Sequence, residues 1–266
     1  MSTTKGKTLY FKEKSMDYVT FGKGKETLIM IPGLGDGLNT VKGMAQSLSF
    51  VYRHLGKKYQ VYIFSRINEL PKKYSTKDMA ADIAEAINAL SIESAFVLGV
   101  SQGGMIAQHL TLDFPEKVKK LVLAVTADQS TSLLEKRVKN WLLLAREGTY
   151  TELMLDIARV SYTSKSYSYL RYLYWYLSQF GKIKDQHRLS IQAQSCLEHR
   201  ANLLESIICP TLIVGAADDQ VIGLDASYEL EKLIPNSRLQ ILADCGHALY
   251  EKNKEFNQLL LGFLAE

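Results

Sequence analysis

A serine between glycines at i−2 and i+2 is the first chemical signal in the sequence: Gly99-Val100-Ser101-Gln102-Gly103. Small neighbours let the backbone turn sharply and thrust the hydroxyl outward, where it can act as a nucleophile. A serine hydroxyl is weak in that role and needs a base. Of the five histidines, His54, His109 and His187 sit in or beside helical patterns, and His199 lies in a long helical stretch. His247 differs: it follows Cys245-Gly246, just past a strand pattern, in a loop that can reach over a sheet edge. A base of this kind needs a carboxylate to hold its tautomer and stabilise the imidazolium. Asp218, closing Gly215-Ala216-Ala217-Asp218 after another strand pattern, is the expected acid; Asp219 and Asp128 are the alternative positions. The order along the chain is then nucleophile, acid, base. A glycine-rich turn, Pro32-Gly33-Leu34-Gly35-Asp36-Gly37, can aim a backbone N–H at developing charge. The N–H groups of Leu34 and Gln102 are the expected oxyanion donors.

These residues need a scaffold that brings distant loops to one edge. Short apolar runs bounded by turn residues predict buried strands at 28–31, 61–64, 95–100, 121–125, 211–215 and 239–242. Two earlier extended stretches, 9–12 and 16–20, predict an antiparallel edge. Helical patterns lie between the strands. After Ser75 and Thr76, either of which can cap a helix, apolar residues recur at Met79, Ile83, Ile87 and Leu90. A second helix is expected from Gln102 to about Phe114, stopped by Pro115. Alternation of this kind implies an α/β fold, a mostly parallel, doubly wound sheet of about eight strands. It breaks once. Between Ala127 and Ile207 only helical patterns occur, at 133–146, 150–161, 167–180 and 188–204. They predict an all-helical cap inserted over the C-terminal edge of the sheet, where ligands bind in open α/β folds. The expected division is 1–127 for the first part of the core, 128–206 for the cap, and 207–266 for the second part.

Composition excludes several classes. A chain of 266 residues with 47% hydrophobic and 23% charged residues is neither disordered nor fibrous. The net charge of +4 is spread in doublets such as Lys57-Lys58, so neither a nucleic-acid nor a membrane partner is expected. No apolar run approaches the roughly 18 residues of a membrane span. The stretch 1–14 has only Leu9, Tyr10 and Phe11 as an apolar cluster, too short for a secretory signal, so a cytoplasmic location is expected. Cys196, Cys209 and Cys245 show no C-x-x-C spacing, which leaves neither a zinc site nor a disulfide framework. The phosphate-loop and dinucleotide patterns are absent as well.

With the turn 32–35, the elbow 99–103, the stretch Asp113-Phe114-Pro115-Glu116-Lys117-Val118, the acid loop 215–218 and Gly246-His247, nearly the whole chain resembles the α/β-hydrolase superfamily of the small, cap-bearing type. The resemblance implies a Ser–His–Asp triad, no metal and no organic cofactor, and a cap at about 128–206 that shapes the pocket. Three places depart from the family pattern. The turn reads Pro32-Gly33 where His-Gly is usual, and that histidine helps fix the loop. The stretch Ser65-Arg66-Ile67-Asn68-Glu69-Leu70-Pro71 replaces a glycine-rich one. The acid loop continues Val221-Ile222-Gly223 rather than ending in proline.

The cap segment is rich in tyrosine. Tyr169, Tyr172, Trp175 and Tyr176 are candidate pocket residues, with cap packing as the other reading. The expected function is a serine hydrolase of a carboxylic ester or related acyl bond in a small apolar or aromatic substrate. C–C bond hydrolysis, perhydrolysis and acyl transfer use the same triad, and a slow-turnover small-molecule receptor is the alternative from another class. Sequence leaves the oligomeric state open, since exposed cap aromatics suit a dimer or a pocket.

Overall fold

The computed structural model describes residues 4–147, 149–251 and 253–266; the start of the N-terminal stretch 1–14 lies outside them. The strands are β1 (Lys7–Phe11), β2 (Lys14–Phe21), β3 (Glu26–Ile31), β4 (Tyr59–Ile67), β5 (Ala95–Val100), β6 (Val118–Ala124), β7 (Thr211–Asp218) and β8 (Ser237–Gly246). They form one sheet in the order β1-β2-β4-β3-β5-β6-β7-β8 among the described residues. The β1–β2 and β2–β4 pairs are antiparallel and the others parallel, as the two early stretches and the later alternation predict.

Helix α1 (Ala45–Val51) precedes β4, α2 (Thr76–Ala89) follows it, and α3 (Gln102–Asp113) joins β5 to β6. The insertion between β6 and β7 carries α4 (Ser132–Arg146), α5 (Tyr150–Ser161), α6 (Ser164–Ser178) and α7 (Gln186–Leu197). Helix α8 (Asp225–Leu233) links β7 to β8, and α9 (Lys254–Ala265) follows β8.

Because side chains alternate along a strand, each central strand serves two cores. Ile29 and Ile31 of β3 pack with Ile83 and Ile87 of α2 and Ile106 of α3 on one face. Leu28 and Met30 pack with Phe256 and Leu260 of α9 on the other. Burying each such side chain contributes roughly 1.5–3 kcal/mol. A third cluster joins the insertion to the core through Trp141 of α4, Leu153 of α5, Leu189 of α7 and Met105 of α3.

Several boundaries differ from the periodicity. Helix α2 starts at Thr76 because Ser75 and Asp78 form a reciprocal capping box. Helix α6 begins three residues before the expected 167, since the Thr163 hydroxyl accepts the Ser166 N–H. Helix α7 stops at Leu197, well short of the expected 204. Strand β4 runs past the expected 61–64 through Ser65 and Arg66, both fully buried. Polar residues there hide a strand from a hydrophobicity pattern; they are held by partners from other parts of the fold.

Candidate active site

Strand β5 delivers Ser101 to the C-terminal edge of the sheet. Its backbone takes φ +53° and ψ −121°, between the last strand residue and the first turn of α3. A non-glycine residue at positive φ is strained and persists only where its surroundings fix it. Here the Ser101 N–H donates to the Ala124 carbonyl at 3.0 Å, and its carbonyl accepts from the Gly104 N–H at 2.8 Å and the Thr126 hydroxyl at 2.7 Å. The flanking glycines are forced by contact. A Cβ on Gly103 would stand 1.9 Å from the Ile31 carbonyl oxygen, and one on Gly99 would stand 2.5 Å from the Gly103 carbonyl oxygen. The first N–H groups of α3 have no intrahelical acceptor and carry the positive end of the helix dipole. Gln102 supplies the first of them.

His247 follows β8 and is buried, and its Nδ1 lies 2.9 Å from Oδ2 and 3.1 Å from Oδ1 of Asp219. The Asp219 Oδ1 also accepts the N–H groups of Val221 at 2.8 Å and Ile222 at 2.9 Å. Burial would raise the pKa of this carboxyl; the facing His247 and these donors outweigh it and hold the carboxyl below its ordinary range. The acid expected from sequence, Asp218, does not meet His247. It is the last residue of β7, half-buried, and its Oδ1 accepts from the Gln220 amide at 2.9 Å. The reason is register. Ala216 pairs with Leu242 but Asp218 pairs with Gly246, so β8 carries extra residues across this step. Such a bulge reorients the strand ends. Asp128 lies elsewhere, its carbonyl accepting from Ala201, and burial raises its pKa.

Ser101, His247 and Leu34 line one cavity of about 520 Å³ between the sheet edge and the insertion. Its walls are apolar: Leu48 and Val51 of α1, Trp141 of α4, and Leu153, Met154 and Ile157 of α5. No lysine or arginine is among its described lining residues, whereas Asp36 and Glu251 are. Tyr52, Tyr174 and Tyr250 also line it. Burial, then the charge of Glu251, raises all three phenols, that of Tyr174 to about 12. Burial pushes the lining thiol of Cys196 up to about 12, so it stays protonated at neutral pH. Among the described residues no group of three or more histidine, cysteine, aspartate or glutamate side chains could hold a metal ion.

The expected pocket aromatics are elsewhere. Tyr169, Tyr172, Trp175 and Tyr176 are 72%, 64%, 53% and 55% exposed and do not line the cavity. From the insertion, the aromatics that line the cavity are Tyr174 of α6, Trp141 of α4 and Tyr150 of α5. Helical spacing finds the faces of α6 but cannot say which one meets the core.

Sequence reading also missed the polar network beneath the turn after β3. Leu34–Gly37 forms a 3-10 turn that buries Asp36. Arg188 of α7 donates to Asp36 Oδ2 at 2.6 Å, and Gln192 to the same oxygen at 3.0 Å. The buried Arg66 donates through Nη2 to the Pro32 carbonyl at 2.8 Å and to Gln102 Oε1 at 2.6 Å. The Gln102 amide in turn donates to the Gln192 carbonyl at 2.7 Å and the Ser195 hydroxyl at 3.0 Å. Arg66 thus ties both stretches that carry the expected oxyanion donors, where the usual turn histidine is replaced by Pro32. Burial would raise the pKa of Asp36; Arg66 and Arg188 outweigh it and keep the carboxylate ionised. The one sequence signal was a charged residue, Arg66, at the end of an apolar strand.

Residues 26–254 match the alpha/beta hydrolase fold family, and the chain belongs to it. It is similar to a 2-hydroxy-6-oxononadienedioate/2-hydroxy-6-oxononatrienedioate hydrolase from a Pseudomonas species, at 26% identity, covering 92% of this chain and 89% of that protein. Among solved structures it is similar to MGS-M2, an alpha/beta hydrolase from a Medee basin deep-sea metagenome library, with a TM-score of 0.85 and 19% identity over 98% of both chains. It is also similar to a thermophilic esterase from Thermogutta terrifontis, with a TM-score of 0.79 and 17% identity over 99% of this chain and 98% of that one.

Proposed function

We propose that this α/β hydrolase cleaves a carboxylic ester or related acyl bond of an uncharged, apolar substrate through Ser101, His247 and Asp219. The observation that carries the reading is the apolar cavity faced by Ser101 and His247 together, with Asp219 behind the imidazole. His247 Nε2 takes the Ser101 proton as Oγ bonds to the carbonyl carbon. The Asp219 carboxylate holds the remaining proton on Nδ1 and stabilises the imidazolium. The Leu34 and Gln102 N–H groups receive the oxyanion, worth about 3 kcal/mol per donor. As the carbonyl reforms, the bond to the leaving alcohol breaks and its oxygen takes the proton from Nε2. Water then attacks the acyl carbon and gives a proton to Nε2. The acid leaves as Ser101 Oγ recovers that proton.

The Pseudomonas relative favours a second reading, hydrolysis of a C–C bond in a dicarboxylate such as its name describes. The lining weighs against it for this chain. A dianion leaving water needs cations, and the described lining offers no lysine or arginine while Glu251 adds a carboxylate; the Asp36 side chain is fully buried against Arg188. A panel of p-nitrophenyl esters from acetate to dodecanoate tests the reading, with Ser101→Ala and a fluorophosphonate label alongside. Turnover that rises with acyl length, and disappears with labelling in Ser101→Ala, is expected. Faster turnover of a 2-hydroxy-6-oxodienoate than of any ester would put the second reading first. Absence of both turnover and labelling in the native protein would overturn both.

A further inference from the structure

Helix α6 is built inside out. Its outer stripe is Tyr169, Leu173 and Tyr176, spaced by four and three residues, and Phe180, just past the helix end, continues it and is 75% exposed. Tyr172 and Trp175 flank the stripe and are more than half exposed. Ser178 is the one residue of this helix that is fully buried. An exposed apolar stripe of this length on a soluble domain marks an interaction surface.

The charged residues of the segment 164–184 itself are basic, with Asp185 the first acidic one after it. Lys165, Arg171, Lys182 and Lys184 lie within 164–184 and are exposed, and this segment has no aspartate or glutamate. The Arg171 guanidinium stacks 4.7 Å over the Tyr172 ring and so stays beside the aromatic surface. A two-fold contact through this face would set the four cations of one copy against the same four of another. An anionic surface would instead attract all of them. Tyrosine, tryptophan and leucine beside lysine and arginine are the residues that settle at the boundary between headgroups and hydrocarbon.

We infer that the outer face of α6 docks this protein on an anionic lipid surface. Among the described residues no helix is long and apolar enough to cross a membrane. The contact proposed is of one helix face with the surface; the overall charge, scattered along the chain, gives no sign of it. The same helix presents Tyr174 to the apolar cavity, so docking would put the lipid surface beside the site. The docking itself does not depend on which bond the site cleaves.

Vesicle co-flotation tests this with the full chain. One set of vesicles is pure phosphatidylcholine, and the other contains about a third phosphatidylglycerol. Binding to the anionic set at least tenfold tighter than to the neutral set is expected, with loss in high salt. The emission of Trp175 should shift to the blue, while the buried Trp141 provides a fixed reference. A Tyr169→Ser/Tyr176→Ser/Phe180→Ser variant should lose at least tenfold in binding yet keep its turnover of a soluble short-chain ester, since none of the three lines the cavity. An Arg171→Glu/Lys182→Glu variant should lose the preference for anionic vesicles. Equal and weak binding to both vesicle sets would overturn the proposal. So would a dimer in sedimentation that the triple-serine variant abolishes, because a second copy would then cover the face.

Discussion

Replacing Asp219 and Asp218 separately by asparagine tests the site at its most specific point. In Asp219→Asn the side-chain oxygen can keep the N–H groups of Val221 and Ile222, which now hold Oδ1 at 2.8 and 2.9 Å. The amide nitrogen then occupies the Oδ2 position, 2.9 Å from His247 Nδ1. An amide N–H donates there, so Nδ1 must accept and the ring proton moves to Nε2. Nε2 can then no longer take a proton from Ser101, and the imidazolium has no anion beside it. Loss of the acid in a serine triad costs about 10⁴-fold in kcat, or about 5 kcal/mol of barrier. Asp218→Asn removes a half-buried carboxylate that meets Gln220 and not His247, so its kcat should stay within about twofold. The assay is kcat on a saturating p-nitrophenyl ester for the three proteins, with circular dichroism to confirm equal folding. A large loss in Asp218→Asn with Asp219→Asn near native would falsify the assignment of Asp219 and the register argument beneath it.

The buried network gives a stability prediction. Asp36→Asn leaves the buried guanidinium groups of Arg66 and Arg188 without their anion and should cost about 3–5 kcal/mol in urea unfolding; a change below about 1 kcal/mol would mean that the charges are compensated elsewhere. Gly103→Ala places a methyl 1.9 Å from the Ile31 carbonyl oxygen, so the elbow must move. It should lower the urea midpoint and reduce fluorophosphonate labelling of Ser101, and native labelling would show that the elbow tolerates the shift. His199 is buried with its Nδ1 2.9 Å from the Thr76 hydroxyl, and burial, then His109, lowers its pKa to about 3. Unfolding releases it to take up a proton near its ordinary pKa of about 6.5. Its contribution to stability is therefore complete above that value and is lost as pH falls toward 3. The urea midpoint should drop between pH 7 and pH 5, and drop less in His199→Gln; identical slopes would assign the pH dependence to other groups.

Local sequence determined a good deal here. The alternation of apolar runs and helical patterns was enough for the sheet, its antiparallel edge and the helical insertion, because burial and period are properties of neighbouring residues. The strand–Ser101–helix turn was legible from its Gly-x-Ser-x-Gly spacing: Gly99 is demanded by contacts within the elbow itself, although Gly103 is demanded by Ile31 of the neighbouring strand. His247 stood out by its position after a strand.

Tertiary structure decided the rest. Asp218 and Asp219 are neighbours of the same type, and only the pairing of β7 with β8 sets which of them faces the histidine. Helical spacing grouped Tyr169, Tyr176 and Phe180 into one face, though α6 ends at Ser178, and a periodic face can point either way. Which side meets the core depends on how α6 lies against α5, and that is a contact between elements. The link between Arg66, Asp36 and Arg188 spans residues 152 apart in sequence. A charge buried in a strand is tolerated only when partners from distant segments meet it, and no local pattern encodes their meeting.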